Sequence, residues 1–169
     1  MFTEELRRQM RRLTLKADII TPNLTELCLL ADIDYHTLAH IEDCSRLIDA
    51  VAQTGKELCK EGPGEIIVTG IRHHDESGAE MMGNLYISEK GCHLASFPYI
   101  GGSYSGTGDL FASCLAAGIA RGDSIPSIMN MAGEFLELAL ADSVKEQIPR
   151  NDGVNYEKYL PMLFRQSQA

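Results

Sequence analysis

Long apolar runs are missing from this chain. No stretch approaches the roughly 18 consecutive apolar residues that a membrane span needs, so no membrane partner is expected. Closely paired cysteines are missing too. Cys28, Cys44, Cys59, Cys92 and Cys114 are odd in number, and no two form a Cys-x-x-Cys pair. A structural zinc cage or a disulfide framework uses tighter, paired spacing. The expectation is five reduced, mostly buried thiols in a cytoplasmic protein. Basic charge is also scarce. Fifteen Lys and Arg face 24 Asp and Glu, a formal net charge of -9 at pH 7. Nucleic-acid binding leaves a basic footprint, so no nucleic-acid partner is expected. The opening Met1-Phe2-Thr3-Glu4-Glu5 is too acidic and polar for a secretory signal. Internal repeats and low-complexity tracts are absent as well.

What is present is ordinary globular composition. Apolar residues make up 44% and charged residues 23% of 169 positions. That length predicts a single domain over residues 1–169 with a core of its own.

Leu6, Met10, Leu13 and Ala17 recur at helical spacing, which predicts an amphipathic first helix with Arg7, Arg8, Arg11 and Arg12 outward. Asp18-Ile19-Ile20 reads as a buried strand stopped by Thr21-Pro22-Asn23. Helical patterns follow over Leu24–Ala31 and Ser45–Lys60, the second ended by Gly62-Pro63-Gly64. Glu65 to Gly70 is a strand whose β-branched run suits cover on both faces. Residues 71–83 are polar and glycine-bearing, so a loop is expected. Leu85–Ser88 and Cys92–Phe97 read as a hairpin around Glu89-Lys90-Gly91. Asp109–Arg121 predicts a buried helix stopped by Gly122. Ser124–Ile148 predicts a long amphipathic helix ended by Pro149, and Tyr156–Leu163 a last short one. Strands alternating with long helices define an α/β class. The chain opens on a helix and holds only two strands suited to a sheet centre, as the back half of a doubly wound fold would.

Gly101-Gly102-Ser103-Tyr104-Ser105-Gly106-Thr107-Gly108-Asp109 is the segment richest in chemistry. Four glycines precede a helix, where a backbone can approach a ligand closely and successive N–H groups can hold an anion. The pattern is not a P-loop, because Thr107 and Gly108 stand where Lys and Ser/Thr belong. It is not a dinucleotide fingerprint either, because Phe111 takes the last glycine position. Asp109 reads in two ways: a first-turn carboxylate favoured by the helix dipole, or a general base facing a bound phosphate. His36 and His40 have the spacing of a zinc pair, with Asp32 and Asp43 near in sequence, but no motif fixes a third ligand. His73-His74-Asp75 reads as a solvated loop.

Gly106-Thr107-Gly108-Asp109-Leu110-Phe111 resembles the signature of pyridoxal kinases in the ribokinase superfamily. Asp18-Ile19-Ile20-Thr21-Pro22-Asn23-Leu24-Thr25-Glu26 resembles the same family's strand-end motif, and Val68-Thr69-Gly70 falls where its next strand ends. The resemblance covers about Asp18 to Leu163. It implies a ribokinase-like three-layer α/β/α fold, of which this chain is the C-terminal, ATP-side part. It implies ATP-dependent phosphorylation of the 5'-hydroxymethyl of pyridoxal or pyridoxine.

The implied roles follow the motifs. Asp109 takes the hydroxyl proton. Gly106, Thr107 and Gly108 offer amides to the developing phosphoryl charge. Glu26 holds Mg²⁺ through water. Asn23 supports the phosphates or that hydration shell, and Thr69 contacts the ATP phosphates. Sugar kinases of the superfamily more often read Gly-Ala-Gly-Asp, and hydroxymethylpyrimidine kinases often carry Cys at the place of Asp109. Thr107 with Asp109 and Leu110 therefore favours a pyridoxal-type substrate. The family's first strands, most of its ring contacts and an acidic metal-facing segment have no match here. Alternatives are a truncated, catalytically silent nucleotide-binding fragment, or a sibling kinase for hydroxymethylpyrimidine or a sugar. An uncovered sheet edge points to a homodimer or other self-association.

Overall fold

The computed structural model describes residues 3–164. It divides into two compact units, one up to Leu94 and one from Ala95. Among the described residues no helix is long and apolar enough to cross a membrane.

The first unit begins with helix α1 (Glu4–Thr14), capped by the Thr3 side chain, which accepts from Leu6 N–H at 3.2 Å. Glu4 and Glu5 in its first turn and Arg11 and Arg12 in its last turn complement the helix dipole. The expected inward apolar stripe is not found. Leu6, Met10 and Leu13 are 44%, 44% and 64% exposed, and no residue of α1 is buried. Two exposed ion pairs accompany this arrangement. Arg7 reaches Asp32 at 3.5 Å and Arg11 reaches Glu61 at 2.9 Å, so two basic residues turn toward the unit.

Strand β1 (Ile19–Ile20) follows, then helices α2 (Leu24–Ala31), α3 (His36–Ala39) and α4 (Cys44–Cys59). Strand β2 (Glu65–His74) runs parallel to β1, with Ile19 opposite Glu65 and Ile20 opposite Ile66. Strands β3 (Glu80–Ser88) and β4 (Gly91–Pro98) complete a mixed sheet in the order β1-β2-β3-β4. Helices α2 and α4 pack against β2. Their buried side chains, including Leu27, Leu47, Val51 and Leu58, form one core with Ile66, Val68, Ile71, Leu85 and Ile87. A Cβ on Gly55 would stand 2.4 Å from Ile87 Cδ1, so this glycine sets how closely α4 approaches the sheet.

The expected loop over 71–83 is instead most of a hairpin. Ile71, Arg72, His73 and His74 pair with Gly83, Met82, Met81 and Glu80, after a bulge between Val68 and Ile71. The reason is backbone pairing closed by a polar turn. Asp75 Oδ1 accepts from the Ser77 and Ala79 N–H groups at 2.8 and 2.9 Å, and Arg72 meets Glu80 at 3.1 Å. Only Ile71 on this stretch of β2 is buried, so apolar pattern could not reveal the strand.

The second unit carries helices α5 (Thr107–Ala120) and α6 (Ile125–Lys145), packed together. A Cβ on Gly118 would fall 2.5 Å from Ile128 Cγ1, which shows how closely the two helices approach. Helix α5 is less enclosed than expected: Phe111, Cys114, Leu115 and Gly118 are buried, while Ile119 is 38% exposed. Helix α6 ends before Pro149. Gln147 takes a φ of 56°, and Ile148 N–H reaches back to the Ser143 carbonyl at 3.0 Å. Short 3-10 helices follow at Arg150–Asp152 and Glu157–Leu163, the second where a last short helix is expected. None of the five cysteines is paired. Cys28 and Cys114 are buried, Cys44 and Cys59 half-buried and Cys92 exposed.

Candidate active site

The three residues marked in the first unit come together at the end of its parallel strands. Just past β1, the Thr69 N–H donates to the Pro22 carbonyl at 2.9 Å, and Asn23 and Thr69 form an isolated parallel bridge. Outside the carboxyl ends of parallel strands is where open α/β sheets present ligand sites. Thr69 is not at a strand terminus, as the motif suggested, because β2 continues to His74. It sits at the bulge. There Gly70 takes a φ of +72°, and its N–H donates to Asn84 Oδ1 at 3.2 Å. Asn84 does not stand out in the sequence; a lone Asn in a half-apolar strand carries no signal of such a role.

Asn23 and Glu26 form a reciprocal capping box at the start of α2. The Asn23 Oδ1 accepts from Glu26 N–H, and Glu26 Oε2 accepts from Asn23 N–H, both at 2.9 Å. Both residues are exposed. The capping box accounts for one carboxylate oxygen of Glu26, and Oε1 takes no partner among the described residues. Hard oxygen donors suit Mg²⁺, which keeps several waters and is held by one or two carboxylates plus phosphates. No group of three or more His, Cys, Asp and Glu among the described residues could cage a metal, the His36–His40 pair included. The residues present therefore fit a hydrated Mg²⁺ and not an all-protein cage.

The second unit carries the glycine turn. Gly106 is the N-cap of α5 in the left-handed region, with φ +83° and ψ -5°, and its carbonyl accepts from Leu110 N–H at 3.0 Å. No side chain caps this helix start. The amides of Thr107, Gly108 and Asp109 are first-turn groups with no intrahelical acceptor. Apart from chain neighbours and the helix's own backbone, no atom lies within 4 Å of where a Cβ would stand on Gly106 or Gly108, so there is open space beside this turn. Asp109 lies in the first turn, exposed, and its own carbonyl accepts from Ser113 Oγ at 2.7 Å. The Thr107 hydroxyl donates to the Tyr104 carbonyl at 3.2 Å. That bond uses the hydroxyl's one proton, so the amide is the Thr107 donor left for an anion.

Arg150 also belongs to this region, and sequence reasoning did not mark it. Ser105 N–H donates to the Arg150 carbonyl at 2.9 Å. A Cβ on Gly102 would fall 2.5 Å from Arg150 Cζ and Nη2. The flanking Pro149 and Gly153 signal a turn there, but nothing in the sequence ties that turn to the glycine segment.

A parallel strand pair with polar turns at its carboxyl end in the first unit, and a glycine-capped helix bearing a first-turn aspartate in the second, belong to an α/β chain of ribokinase-like fold. The chain belongs to the phosphomethylpyrimidine kinase family, whose model matches residues 1–152. It is 31% identical over 127 residues to the hydroxymethylpyrimidine/phosphomethylpyrimidine kinase of Haemophilus influenzae, covering 74% of this chain and 43% of that one. It is 25% identical over 129 residues to the pyridoxal kinase PdxY of Rubrobacter xylanophilus, covering 76% and 41%. Among solved structures, a protein assigned as a phosphomethylpyrimidine kinase from Bacteroides thetaiotaomicron superposes with a TM-score of 0.82 at 28% identity. That match covers 99% of this chain and 55% of the other. A second crystal form of that protein, with pyridoxal, gives a TM-score of 0.74 over 99% and 56%. The chain spans 43% of the length of the Haemophilus relative.

Proposed function

We propose that this chain carries the nucleotide side of an ATP-dependent kinase that phosphorylates the hydroxymethyl group of a nitrogen heterocycle, with a pyridoxal-type acceptor as substrate. The observation that carries the reading is the left-handed Gly106 cap with Asp109 in the first turn behind it. Open amides and a carboxylate within one helical turn suit phosphoryl transfer, which is positioning and electrostatics more than covalent chemistry.

In this reading Asp109 accepts the proton as the acceptor's hydroxyl oxygen forms its bond to the γ-phosphorus. The bond from that phosphorus to the bridging oxygen breaks, and ADP leaves. The amides of Thr107 and Gly108, with the Gly106 turn holding them open, receive the charge that develops on the transferred group. Asn23 and Thr69 orient the phosphates. Glu26 holds the hydration shell of Mg²⁺. When bound, Mg²⁺ neutralises charge between phosphate oxygens.

Asp109 behind Thr107 supports the pyridoxal-type acceptor, and so does the pyridoxal complex of the Bacteroides relative. A hydroxymethylpyrimidine acceptor is the second reading, favoured by the family match and by the names of three curated relatives. The test is transfer from MgATP to pyridoxal and to hydroxymethylpyrimidine, side by side. Asp109→Asn lowers turnover by at least about 10²-fold if Asp109 is the base. Undiminished turnover in that variant overturns the assignment. A folded chain that binds MgATP and transfers nothing supports a nucleotide-binding fragment that needs further polypeptide.

A further inference from the structure

The side chain of Arg150 lies across the glycine segment that leads into α5. A Cβ on Gly102 would fall 2.5 Å from Cζ and Nη2 and 2.9 Å from Nε of Arg150. All three are guanidinium atoms. The charged head, and not the aliphatic stem, therefore rests against the glycine. Gly102 also takes a φ of +114°, a conformation that side chains rarely adopt. The backbone angle therefore disfavours any other residue at this position, and a larger side chain would also displace the guanidinium end of Arg150.

The backbone fixes the arrangement independently of that side chain. Ser105 N–H bonds to the Arg150 carbonyl at 2.9 Å, one residue before the Gly106 cap. A Cβ on Gly153 would stand 3.5 Å from the Ser105 carbonyl. The turn from Arg150 to Gly153 therefore runs alongside the last residues before the helix start. Arg150 is exposed, and among the described residues its guanidinium forms no ion pair or hydrogen bond. Among the described residues it has no carboxylate partner, in a chain of net charge -9. An unpaired guanidinium, set on a segment whose free amides already suit an anion, is complementary to phosphate. Its planar fork donates two parallel hydrogen bonds to phosphate oxygens, which lysine cannot reproduce.

We infer that Arg150 binds a phosphate of the nucleotide held at the 101–109 turn. The inference rests on the kinase reading above. It adds a cation to a cradle that the sequence had built from amides alone.

The test compares the affinities of the full chain for a non-hydrolysable ATP analogue, ADP and adenosine, with Mg²⁺ present. Arg150→Ala weakens the ATP analogue by about 10- to 100-fold, the range of a charge-assisted hydrogen bond. Adenosine affinity is unchanged, because it has no phosphate. Arg150→Lys recovers part of the loss. Neither substitution removes the Ser105–Arg150 backbone bond, and matching thermal melts confirm a folded variant. If Arg150→Ala holds the ATP analogue as tightly as the original chain, the inference is overturned. Equal losses for adenosine and the ATP analogue overturn it too, by showing a structural role. An original chain that is folded and binds none of the three overturns the kinase reading, and this inference with it.

Discussion

Asn23 and Glu26 hold each other. Each backbone N–H is bonded to the other's side chain at 2.9 Å, so the residues nearest the end of β1 also start helix α2. One pair of side chains thus has a structural task beside the chemical one proposed for it, and the two can be separated.

Glu26→Gln separates them. Glutamine completes a capping box as glutamate does, so stability stays within about 0.5 kcal/mol. Removing the charge weakens Mg²⁺-dependent nucleotide binding by about 10- to 100-fold, as loss of a partner that acts through metal-bound water does. Asn23→Ala instead costs about 1 kcal/mol of stability by losing the cap. Urea denaturation and MgATP titration of both variants check this. A Glu26→Gln chain with unchanged Mg²⁺ dependence would show that Glu26 is a cap alone.

The two glycines of the anion turn should respond in opposite directions. Both have open space where a Cβ would go, so clash is not the issue. Gly106 has φ +83°. Gly106→Ala therefore costs about 1–3 kcal/mol of strain. Gly108 lies inside α5 without a positive φ, so Gly108→Ala adds about 0.5–1 kcal/mol of stability. Thermal denaturation gives the signs. If Gly108→Ala gains stability and loses nucleotide affinity, close ligand approach is what keeps that glycine.

Asp75 makes the hairpin tip sensitive to acid. Its carboxyl is held below the usual aspartate range, first by the Ser77 hydroxyl at 2.7 Å and then by the Ala79 N–H. A lowered folded value means a contribution that is complete above the ordinary aspartate pKa and is lost as pH falls through the lower one. The Ser77 and Ala79 amide resonances are expected to titrate with a midpoint below that of a free aspartate. A midpoint at the free value would remove the turn's carboxylate from the account.

Where side-chain pattern and folding agree, the sequence is legible. Leu24–Ala31 can be read to the residue because an Asn cap and an apolar face mark it. Helix α4 can be read within one residue at either end for the same reasons. The 71–83 stretch is not legible, because a two-stranded ribbon is held by its backbone ladder, and the bulge breaks the alternation. The ion pairs of α1 escape a sequence reading because Asp32 and Glu61 lie far from it along the chain. Gly106 to Asp109 can be found as consecutive residues on one turn. Asn84 and Arg150 cannot, since each joins its region through a contact that only folding creates.

Strand β1 is two residues long and stands at the edge of the sheet. So short a strand is a weak anchor for the turn beyond it. The Pro22–Glu26 corner is secured instead from behind, where Leu27 and Cys28 are 0% and 1% exposed in the core of the first unit. The stiffness of this corner is therefore a property of helix packing. A cavity opened at Leu27, wholly inside the core, would loosen the residues proposed to hold phosphates.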